Sequence, residues 1–419
     1  MATGGLLTFR DNAVYMSAGK QAAWGTDVAP TWTYLWLDGS SADPQAKVAF
    51  EREGDGSGYN VLAYKESQHV VVKIVEYARP LLVGYALQSL LGSGSDAYVA
   101  PTVNTTLAAG VAAGATSCQV AANLGSVGTV AVVASAGYSS AAQEVVTLDL
   151  TTKTGTGPYT YTLAASATFA KAHISSDAVV SAASHTLTGK YAFDPYTFEV
   201  GYGESGALSQ ILRFVDGCCV DLSIDSQKGK PVKFTHTWYC TKVKYMTAST
   251  APVYPAGGPF RHYDASGTWR INNAATGNAA TIETLQLQLK RSVQAMDCQS
   301  EGLNPVYFVP GNLDISGNLN AIFNGWGDYN LAYFGATAPA NGTTDAILVG
   351  ESQLGMTYQL DAVNSLALAL PTVDYEAANV KQSLKGSAVK QPIKFQARKT
   401  ASNPVPFTAT LNNTQVGSY

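Results

Sequence analysis

One short pattern occurs twice in this chain and restricts its fold more than any other feature. Residues 231–234 read Pro-Val-Lys-Phe, and residues 392–395 read Pro-Ile-Lys-Phe. In both places polar and apolar residues continue to alternate afterwards, which is typical of a half-buried β-strand. Proline is tolerated at the first residue of a strand, because its missing N–H is not needed there. We therefore expect two equivalent strands and a chain built from two copies of one unit.

The composition favours a β-rich protein that associates with other copies of itself. The chain has 419 residues, of which 46% are apolar and 13% are charged. The charged share is about half of what is usual for a globular protein, and a surface with few charges promotes association. A secreted β-rich protein is the alternative explanation of the same composition.

Net charge and segment composition argue against several classes of protein. The net charge is −4, and no basic run is present, so tight binding to duplex DNA is not expected, whereas transient contact is compatible. Residues 1–7 lack the pattern of a signal peptide, and no apolar run approaches the roughly 20 residues of a membrane span. We expect no membrane insertion.

Neither the cysteines nor the histidines are spaced as metal ligands. The five cysteines, which we expect to be reduced and mostly buried, are Cys118, Cys218, Cys219, Cys240 and Cys298. Residues 201–206 read Gly-Tyr-Gly-Glu-Ser-Gly, which matches a dinucleotide-binding fingerprint, but no helical pattern follows, so a hairpin turn is the better interpretation. We predict no enzyme activity, no cofactor, and no catalytic or metal-binding residue.

Turn residues and shifts in composition divide the chain into five regions. They are a first unit at 1–103, an inserted small all-β domain at 104–182, the continuation of the first unit at 183–246, a linker at 247–260, and a second unit with a C-terminal arm at 261–419. The inserted region is rich in Ala, Thr, Ser and Gly. Its predicted strands lie at 117–121, 130–134, 144–150 and 159–163.

The two units are predicted to repeat one order of elements. In the first unit we expect an extended arm, a long loop at 38–60, a strand at 69–76 and a helix at 81–91 between Pro80 and Gly92. In the second unit we expect a strand at 284–290. A helix-like region follows within 316–335, where Leu319, Ile322, Phe323 and Trp326 have helical spacing.

Several stretches resemble the tail tube proteins of long-tailed bacteriophages. They are residues 20–26, 88–92, 196–203, 214–218, 228–232 and 407–413. The inserted region, from Gly114 to Thr147, resembles small β modules that are common on phage tails. Together these stretches cover most of the chain, and they are patterns of strand and turn without a catalytic signature.

The resemblance implies a mainly β fold with two tandem β-sandwich or half-barrel domains, each with a flanking helix, and the small inserted all-β domain. Copies join side by side into rings, and rings stack into a tube in the virion through which double-stranded DNA passes. Most members carry one such domain and form hexamers, so three chains with two domains each imply a trimeric ring with pseudo-sixfold symmetry. The implied partners are further copies, the tape measure, tail terminator and distal tail proteins, with assembly in the host cytoplasm.

The tube interpretation gives two sets of candidate residues. Aromatic residues of the arms and loop are candidates for contacts between subunits: Trp24, Trp32, Trp36, Phe50, Tyr59 and Tyr419. Carboxylates on or next to strands are candidates for the lumen, where they would repel phosphates: Glu199, Asp221, Asp225, Asp361 and Asp374. We expect Lys233 and Lys394 to face away from the lumen or to pair with carboxylates.

Two alternatives to a tube subunit stay open from the sequence. One is a β-rich binding protein of the virion surface that recognises carbohydrate, which exposed Trp and Tyr platforms would favour. The other is a secreted β-rich hydrolase, which requires two carboxylates converging in a cleft.

Overall fold

The protein is mainly β, and its sheets include a half-barrel. The computed structural model describes residues 15–34, 37, 39–51, 62–133, 143–204, 207–247, 257–264, 270–271, 282–297, 303–323, 325–344, 351–378, 380 and 389–419. Within these residues the strands form one extended sheet of 17 strands and a separate sheet of six. We call residues 15–247, without the separate sheet, the N-terminal half, and residues 257–419 the C-terminal half.

Among its described residues, the N-terminal half contains strands on both sides of the inserted segment and one α-helix. They are β1 (Tyr15–Lys20), β2 (Trp32–Tyr34), β3 (Ser41–Glu51), β4 (Leu62–Tyr77), α1 (Val83–Leu91) and β5 (Asp96–Val99). The inserted strands are β6 (Asn104–Thr106), β7 (Ser117–Val120), β8 (Thr129–Val133), β9 (Glu144–Thr154), β10 (Tyr159–Leu163) and β11 (Ala178–Val180). The half then continues with β12 (Ala183–Thr188), β13 (Tyr196–Glu204), β14 (Ala207–Gln227), β15 (Lys233–Cys240) and β16 (Lys242–Met246).

The described part of the C-terminal half contains strands and one further α-helix. They are β17 (Arg270–Ile271), β18 (Ile282–Met296), β19 (Tyr307–Ile322), α2 (Gly327–Phe334), β20 (Glu351–Gln359), β21 (Ser365–Ala378), β22 (Lys390–Ala397) and β23 (Thr408–Asn413). All the pairings recorded between these strands and those of the N-terminal half are antiparallel.

The large sheet contains two runs of four strands with matching neighbours. In the N-terminal half β3, β4, β15 and β14 lie side by side in that order. In the C-terminal half the order is β18, β19, β22 and β21. The two runs join where residues 221–227 of β14 pair with residues 284–290 of β18. The two strands of the repeated pattern, β15 and β22, therefore occupy the third place in their runs.

The alternation predicted for the repeated pattern is confirmed. Phe234, Ile393 and Phe395 are buried, whereas Lys233 is half-buried and Lys394 is exposed. The expectation that proline begins each strand is wrong, since β15 begins at Lys233, two residues after its proline, and β22 begins at Lys390, two residues before its proline. Pairing of this strand with the end of β19 extends the ladder beyond the repeated pattern.

Helix α1 begins and ends close to the predicted limits. It follows Pro80, and Gly92 ends it with a φ of 113°, a conformation that glycine adopts readily. All of its residues are buried, because the helix packs on β14, where the Cys219 amide donates a hydrogen bond to Ser89 Oγ at 3.0 Å. The 81–91 prediction is confirmed, with the first helical residue at Val83.

Two predictions of local structure are wrong, one of them only in its limits. The helix predicted within 316–335 is present as α2, but it begins only at Gly327, and Leu319 and Ile322 lie on strand β19 instead. Alternation decides the outcome there, since Leu319 and Ala321 are buried while Asn318 and Asn320 are exposed. The predicted loop at 38–60 instead contains strand β3, a strand paired on one side only among the described residues, a position in which a proline is tolerated.

The inserted strands form their own sheet with its own core. The order in this sheet is β6, β11, β8, β9, β10 and β7, and its core includes Val120, Val130, Tyr161 and Phe169. The strands predicted from the sequence are all present within a few residues of their expected limits. The inserted segment thus buries apolar side chains independently of the large sheet.

A second set of contacts joins the two halves away from the β14–β18 junction. Strand β12 pairs with β23 along residues 183–188 and 408–413. The buried Arg291 of β18 donates hydrogen bonds to the carbonyls of Lys190 and Leu91, at 2.8 and 3.2 Å. Its guanidinium therefore satisfies a carbonyl of the last residue of α1. Within the described part of the chain, no helix is long and apolar enough to cross a membrane.

Candidate functional surface

The strands around the β14–β18 junction present a continuous polar face. Their apolar residues point into the core, so their alternate residues point outward. We call this outward side of β14, β15, β18, β19 and β22 the polar face. Its uncharged side chains are Ser223, Thr235, Thr237, Thr284, Gln286, Gln288, Ser316, Asn318, Asn320 and Gln396.

Side-chain hydrogen bonds run across the strands of the polar face. Asn318 Nδ2 donates to Gln286 Oε1 at 3.2 Å, and Asn320 Nδ2 donates to Thr284 Oγ1 at 3.0 Å. Such cross-strand pairs stabilise a sheet modestly. The polar face therefore presents hydroxyl and amide groups whose hydrogen-bonding capacity is already partly used within the sheet.

Acidic and basic side chains interleave on the same face. Asp221 lies opposite Lys290, and Asp225 lies opposite Lys233. Lys394 is opposite Asn318. The two lysines of the repeated pattern thus both lie on the polar face, and of the two only Lys233 has a carboxylate as a cross-strand neighbour in these registers. The described part of the face carries charges of both signs, without a large patch of either.

Three of the five lumen candidates lie on this side of the sheet. Asp221 and Asp225 lie on its central strand β14, and Asp374 lies on β21 with its side chain close to Arg398. Glu199 is fully buried on β13, where Arg213 Nη2 donates to its Oε2 at 2.7 Å. The remaining candidate lies elsewhere, in the turn between β20 and β21.

That turn is held by Asp361. Its Oδ1 accepts hydrogen bonds from the amides of Val363 and Asn364, both at 2.8 Å. A carboxylate used in this way stabilises a tight turn. Neither this residue nor the buried Glu199 presents a free carboxylate beside the polar face.

The described aromatic candidates pack within their own chain. Trp24 lies in the segment after β1, with its ring centroid 6.5 Å from that of Phe308 and 6.4 Å from that of Tyr307 on β19. It therefore connects the two halves of one chain. The side chains of Trp32 and Phe50 are not among those described, and Trp36 and Tyr59 lie outside the described residues.

Tyr419 is the most deeply buried of these aromatic candidates, with 1% of its surface exposed. Its ring lies 4.6 Å from the centroids of both Tyr85 and His185, and a Cβ placed on Gly84 would lie 2.1 Å from it. Tyr419 thus fixes the end of the C-terminal half against helix α1 of the N-terminal half. A side chain in this position has no surface to offer to another subunit.

The segment after β1 is anchored by an aspartate that the sequence analysis missed. Asp216 is buried at a φ of 61°. Its Oδ1 accepts hydrogen bonds from Gln21 Nε2 at 3.0 Å and from the Gly25 amide at 2.6 Å, and its Oδ2 accepts one from Thr241 at 2.7 Å. The Asp-Gly dipeptide at 216–217 is the only sequence signal for this feature, because such dipeptides favour positive φ.

A buried polar trio lies on the core side of β4 and β15. His236 Nδ1 accepts the Trp238 indole N–H at 2.6 Å, so the ring proton resides on Nε2, which faces Glu76 Oε1 at 3.4 Å. Glu76 and His236 are fully buried. Burial raises the pKa of the Glu76 carboxyl above its usual range, although His236 and Arg79 oppose the shift. The trio has no route to a substrate and acts in packing.

The motifs that suggested chemistry have structural explanations. Residues 196–204 and 207–217 form adjacent antiparallel strands, so the hairpin interpretation of the glycine-rich stretch is confirmed. Cys118, Cys218, Cys219 and Cys240 are buried free thiols, and burial raises the pKa of each. Cys298 lies outside the described residues. Among the described residues, no group of three or more His, Cys, Asp or Glu could hold a metal ion.

Comparison with known proteins adds no relative to these observations. The sequence matches no protein-family model, and no curated protein matches it significantly. The functional argument therefore depends on the strand order, the polar face and the edges of the large sheet.

Proposed function

We propose that this protein is a tail tube subunit of a siphovirus-like bacteriophage, a structural virion protein whose copies close into rings and stack into a tube for DNA. Each chain is interpreted as two tandem tube domains, the N-terminal and C-terminal halves, with the inserted sheet as a decoration on the outside. Three chains then supply six domains, which gives a trimeric ring with pseudo-sixfold symmetry.

The observation that carries the proposal is the junction between β14 and β18. At this junction the last strand of one run pairs with the first strand of the next, and β13 and β18 lie along the same edge of β14. Within the part of the chain that the structure describes, the corresponding edge of β21 is paired with β20 as far as Asp374. Among the described residues, β3 has no partner on the side away from β4. The described part of one chain thus contains a formed junction and two edges without a partner, which would make the same junction with neighbouring chains.

Physical chemistry favours closure of these edges. An unpaired strand edge is a site of uncontrolled association, and closing the sheet around an axis removes it. Because the two free edges belong to different strands, the contact is head-to-tail, and such a contact gives a ring when the rotation closes. The junction inside the chain supplies a template for that rotation.

The polar face is suited to line the channel. Its amide and hydroxyl groups and its interleaved charges offer no basic patch that would retain phosphates. This agrees with a surface over which DNA moves without being held. The tape measure protein, the tail terminator and the distal tail protein are the further partners that a tail tube implies.

Electron microscopy of the purified chain tests the proposal directly. Hollow rings with threefold features, or stacks of them, are expected in negative stain as the concentration rises. Monomers that stay dispersed at high concentration, by sedimentation and by microscopy, would refute the tube function.

A single substitution on β3 tests whether the free edges make the ring. Pro44 lies within β3, so its nitrogen is best placed on the side away from β4, and alternate residues of a strand direct their N–H groups to the same edge. Ala42→Pro is therefore expected to remove one outward N–H, to leave the β3–β4 ladder in place and to block ring formation. Ala42→Ser is the matched control, and thermal unfolding checks that both variants fold. A well-folded Ala42→Pro variant that still forms rings would rule out this edge.

A further inference from the structure

A row of aromatic side chains runs from the segment before helix α2 onto the helix itself. We call Phe323, Trp326, Tyr329 and Tyr333 the aromatic stripe. Successive ring centroids along it are 5.1, 5.5 and 4.6 Å apart. Trp326 is 57% exposed, and the other three are half-buried. One exposed and three half-buried aromatic rings in contact form a contiguous apolar patch, which is uncommon on a surface that has no partner.

The opposite side of α2 is buried in the core. Leu331 is 6% exposed and belongs to the main hydrophobic core, and Ala332 packs against that core. The helix packs on β21, whose edge has no partner beyond Asp374 in the described residues. The aromatic stripe is therefore next to an edge at which the sheet can be extended.

The corresponding helix of the N-terminal half shows what covers such a surface. Tyr85, in the first turn of α1, is 7% exposed because Tyr419 lies against it, edge to face, at 4.6 Å. Tyr419 belongs to the C-terminal half, which follows the N-terminal half across the β14–β18 junction. In the formed junction, then, the half that adds to the sheet edge also covers the first turn of the preceding helix.

We propose that the aromatic stripe is an interface for a second copy of this chain, and that the N-terminal half of that copy covers it. The inference rests on the proposed ring, in which the N-terminal half of the next chain adds to the free edge of β21. The contact would contribute the aromatic anchors that dominate the energy of protein interfaces. It also accounts for the greater exposure of Trp326, directly before α2, than of Tyr85 in the first turn of α1.

Oxidative footprinting of dispersed and assembled protein measures this contact. Hydroxyl radicals oxidise exposed aromatic rings, and mass spectrometry locates the products. We expect the oxidation of Trp326 to fall about tenfold on assembly, as for a side chain enclosed at the centre of an interface. Tyr159, which is half-buried on the inserted sheet, is the internal control and should change little.

Substitution gives an independent readout. Trp326→Ala is expected to raise the concentration needed for assembly about tenfold or more, while thermal unfolding of the dispersed variant stays close to that of the unchanged protein. Ile174→Ala is the matched control, because Ile174 is 60% exposed on the inserted segment. Its assembly should be unaffected.

The outcomes separate this inference from the proposed function. Rings that form while Trp326 is oxidised as fast as in the dispersed chain would overturn the interface and leave the tube function standing. Failure of the unchanged chain to form rings would overturn both. Protection of Trp326 in the dispersed chain by added chito-oligosaccharides, without protection in rings, would show a carbohydrate platform and would also overturn the interface.

Discussion

The two strands of the repeated pattern share a place in the sheet but differ in what lies opposite them. Phe234 of β15 pairs with Glu76 of β4, whereas Phe395 of β22 pairs with Gly317 of β19. A Cβ placed on Gly317 would lie 2.5 Å from the Phe395 ring. The C-terminal half thus accommodates its phenylalanine in a space that glycine leaves, while the N-terminal half accommodates a buried carboxyl group.

This difference shows that two strands can occupy the same place in the strand order while different side chains fill the core around them. His236 and Trp238 complete a polar trio with Glu76 in the N-terminal half. In the C-terminal half, the position equivalent to His236 in the repeated pattern is Ala397. Alternation of polar and apolar residues is enough to set the strand, and the local volume then decides which side chains fill the core.

The largest expected effect distinguishes the two phenylalanines. Phe395→Ala should lower the free energy of unfolding by about 3–5 kcal/mol, because it leaves a cavity beside a glycine. Phe234→Ala should cost at least about 1 kcal/mol less, since water entering its cavity can solvate the Glu76 carboxyl group. Urea unfolding of the dispersed chain measures both values. Equal losses of unfolding free energy would show that water in the cavity does not stabilise the Glu76 carboxyl group.

A smaller loss is expected at the contact between the halves. Tyr419→Ala should lower the free energy of unfolding by about 2–4 kcal/mol, because it empties a buried aromatic site. Gly84→Ala should displace the same ring, so the double variant should be little worse than Tyr419→Ala alone. Urea unfolding of the two single variants and the double variant completes the cycle. Additive losses would mean that the two residues act independently.

The buried Glu76 carboxyl group predicts that the stability of the N-terminal half depends on pH. The folded-state pKa of Glu76 lies above its unfolded value, so its stabilising contribution is full below the unfolded value, near 4.5, and is lost as pH rises through the folded value. Glu76→Gln cannot ionise. As pH rises above about 4.5, the unchanged protein should therefore lose stability relative to Glu76→Gln, by roughly 1–2 kcal/mol. The unfolding temperatures of the two proteins, compared across this pH range, measure the difference.

The position that corresponds to Glu76 in the C-terminal half is Gly317, where a glutamine side chain would clash with its neighbours. The control for Glu76→Gln is therefore Asp225→Asn on the polar face. A difference between Glu76→Gln and the unchanged protein that is constant from pH 4 to pH 8 would contradict the predicted linkage.

The smallest effect on folding is expected on the polar face. Asp225→Asn should change the free energy of unfolding by less than about 0.5 kcal/mol, because a half-exposed carboxylate beside Lys233 contributes little to stability. Urea unfolding of this variant provides the check. A loss above about 1 kcal/mol would show that the pair of Asp225 and Lys233 contributes substantially to the stability of the sheet.

Local elements could be predicted where one periodicity dominates. The α1 helix, the strands of the inserted segment and the alternation in β15 and β22 follow directly from spacing and from Pro and Gly positions. The spacing around Leu319 predicts a helix where the chain forms strand β19, because its apolar residues fit both periods. Strand β3 was missed because its Asp-Pro dipeptide resembles a loop, although a strand at the edge of a sheet tolerates proline.

The candidate surface could be predicted only in part. Strand positions in the sequence predict that Asp221, Asp225 and Asp374 lie on the sheet, and their place in a lumen stays a prediction. The burial of Glu199 against Arg213, the anchoring of Gln21 by Asp216 and the docking of Tyr419 each join residues far apart in the sequence. Pairings over such separations leave no local signal.

The sequence by itself determined the strand character of both halves, the separate inserted segment and the equivalence of the two Pro-Lys-Phe strands, because period-two alternation and turn residues act over a few residues. The tertiary structure decided which strands are neighbours, which edges stay unpaired and which aromatic residues are covered. Those features depend on registers and contacts between distant segments, and only the closed packing of the core selects among them.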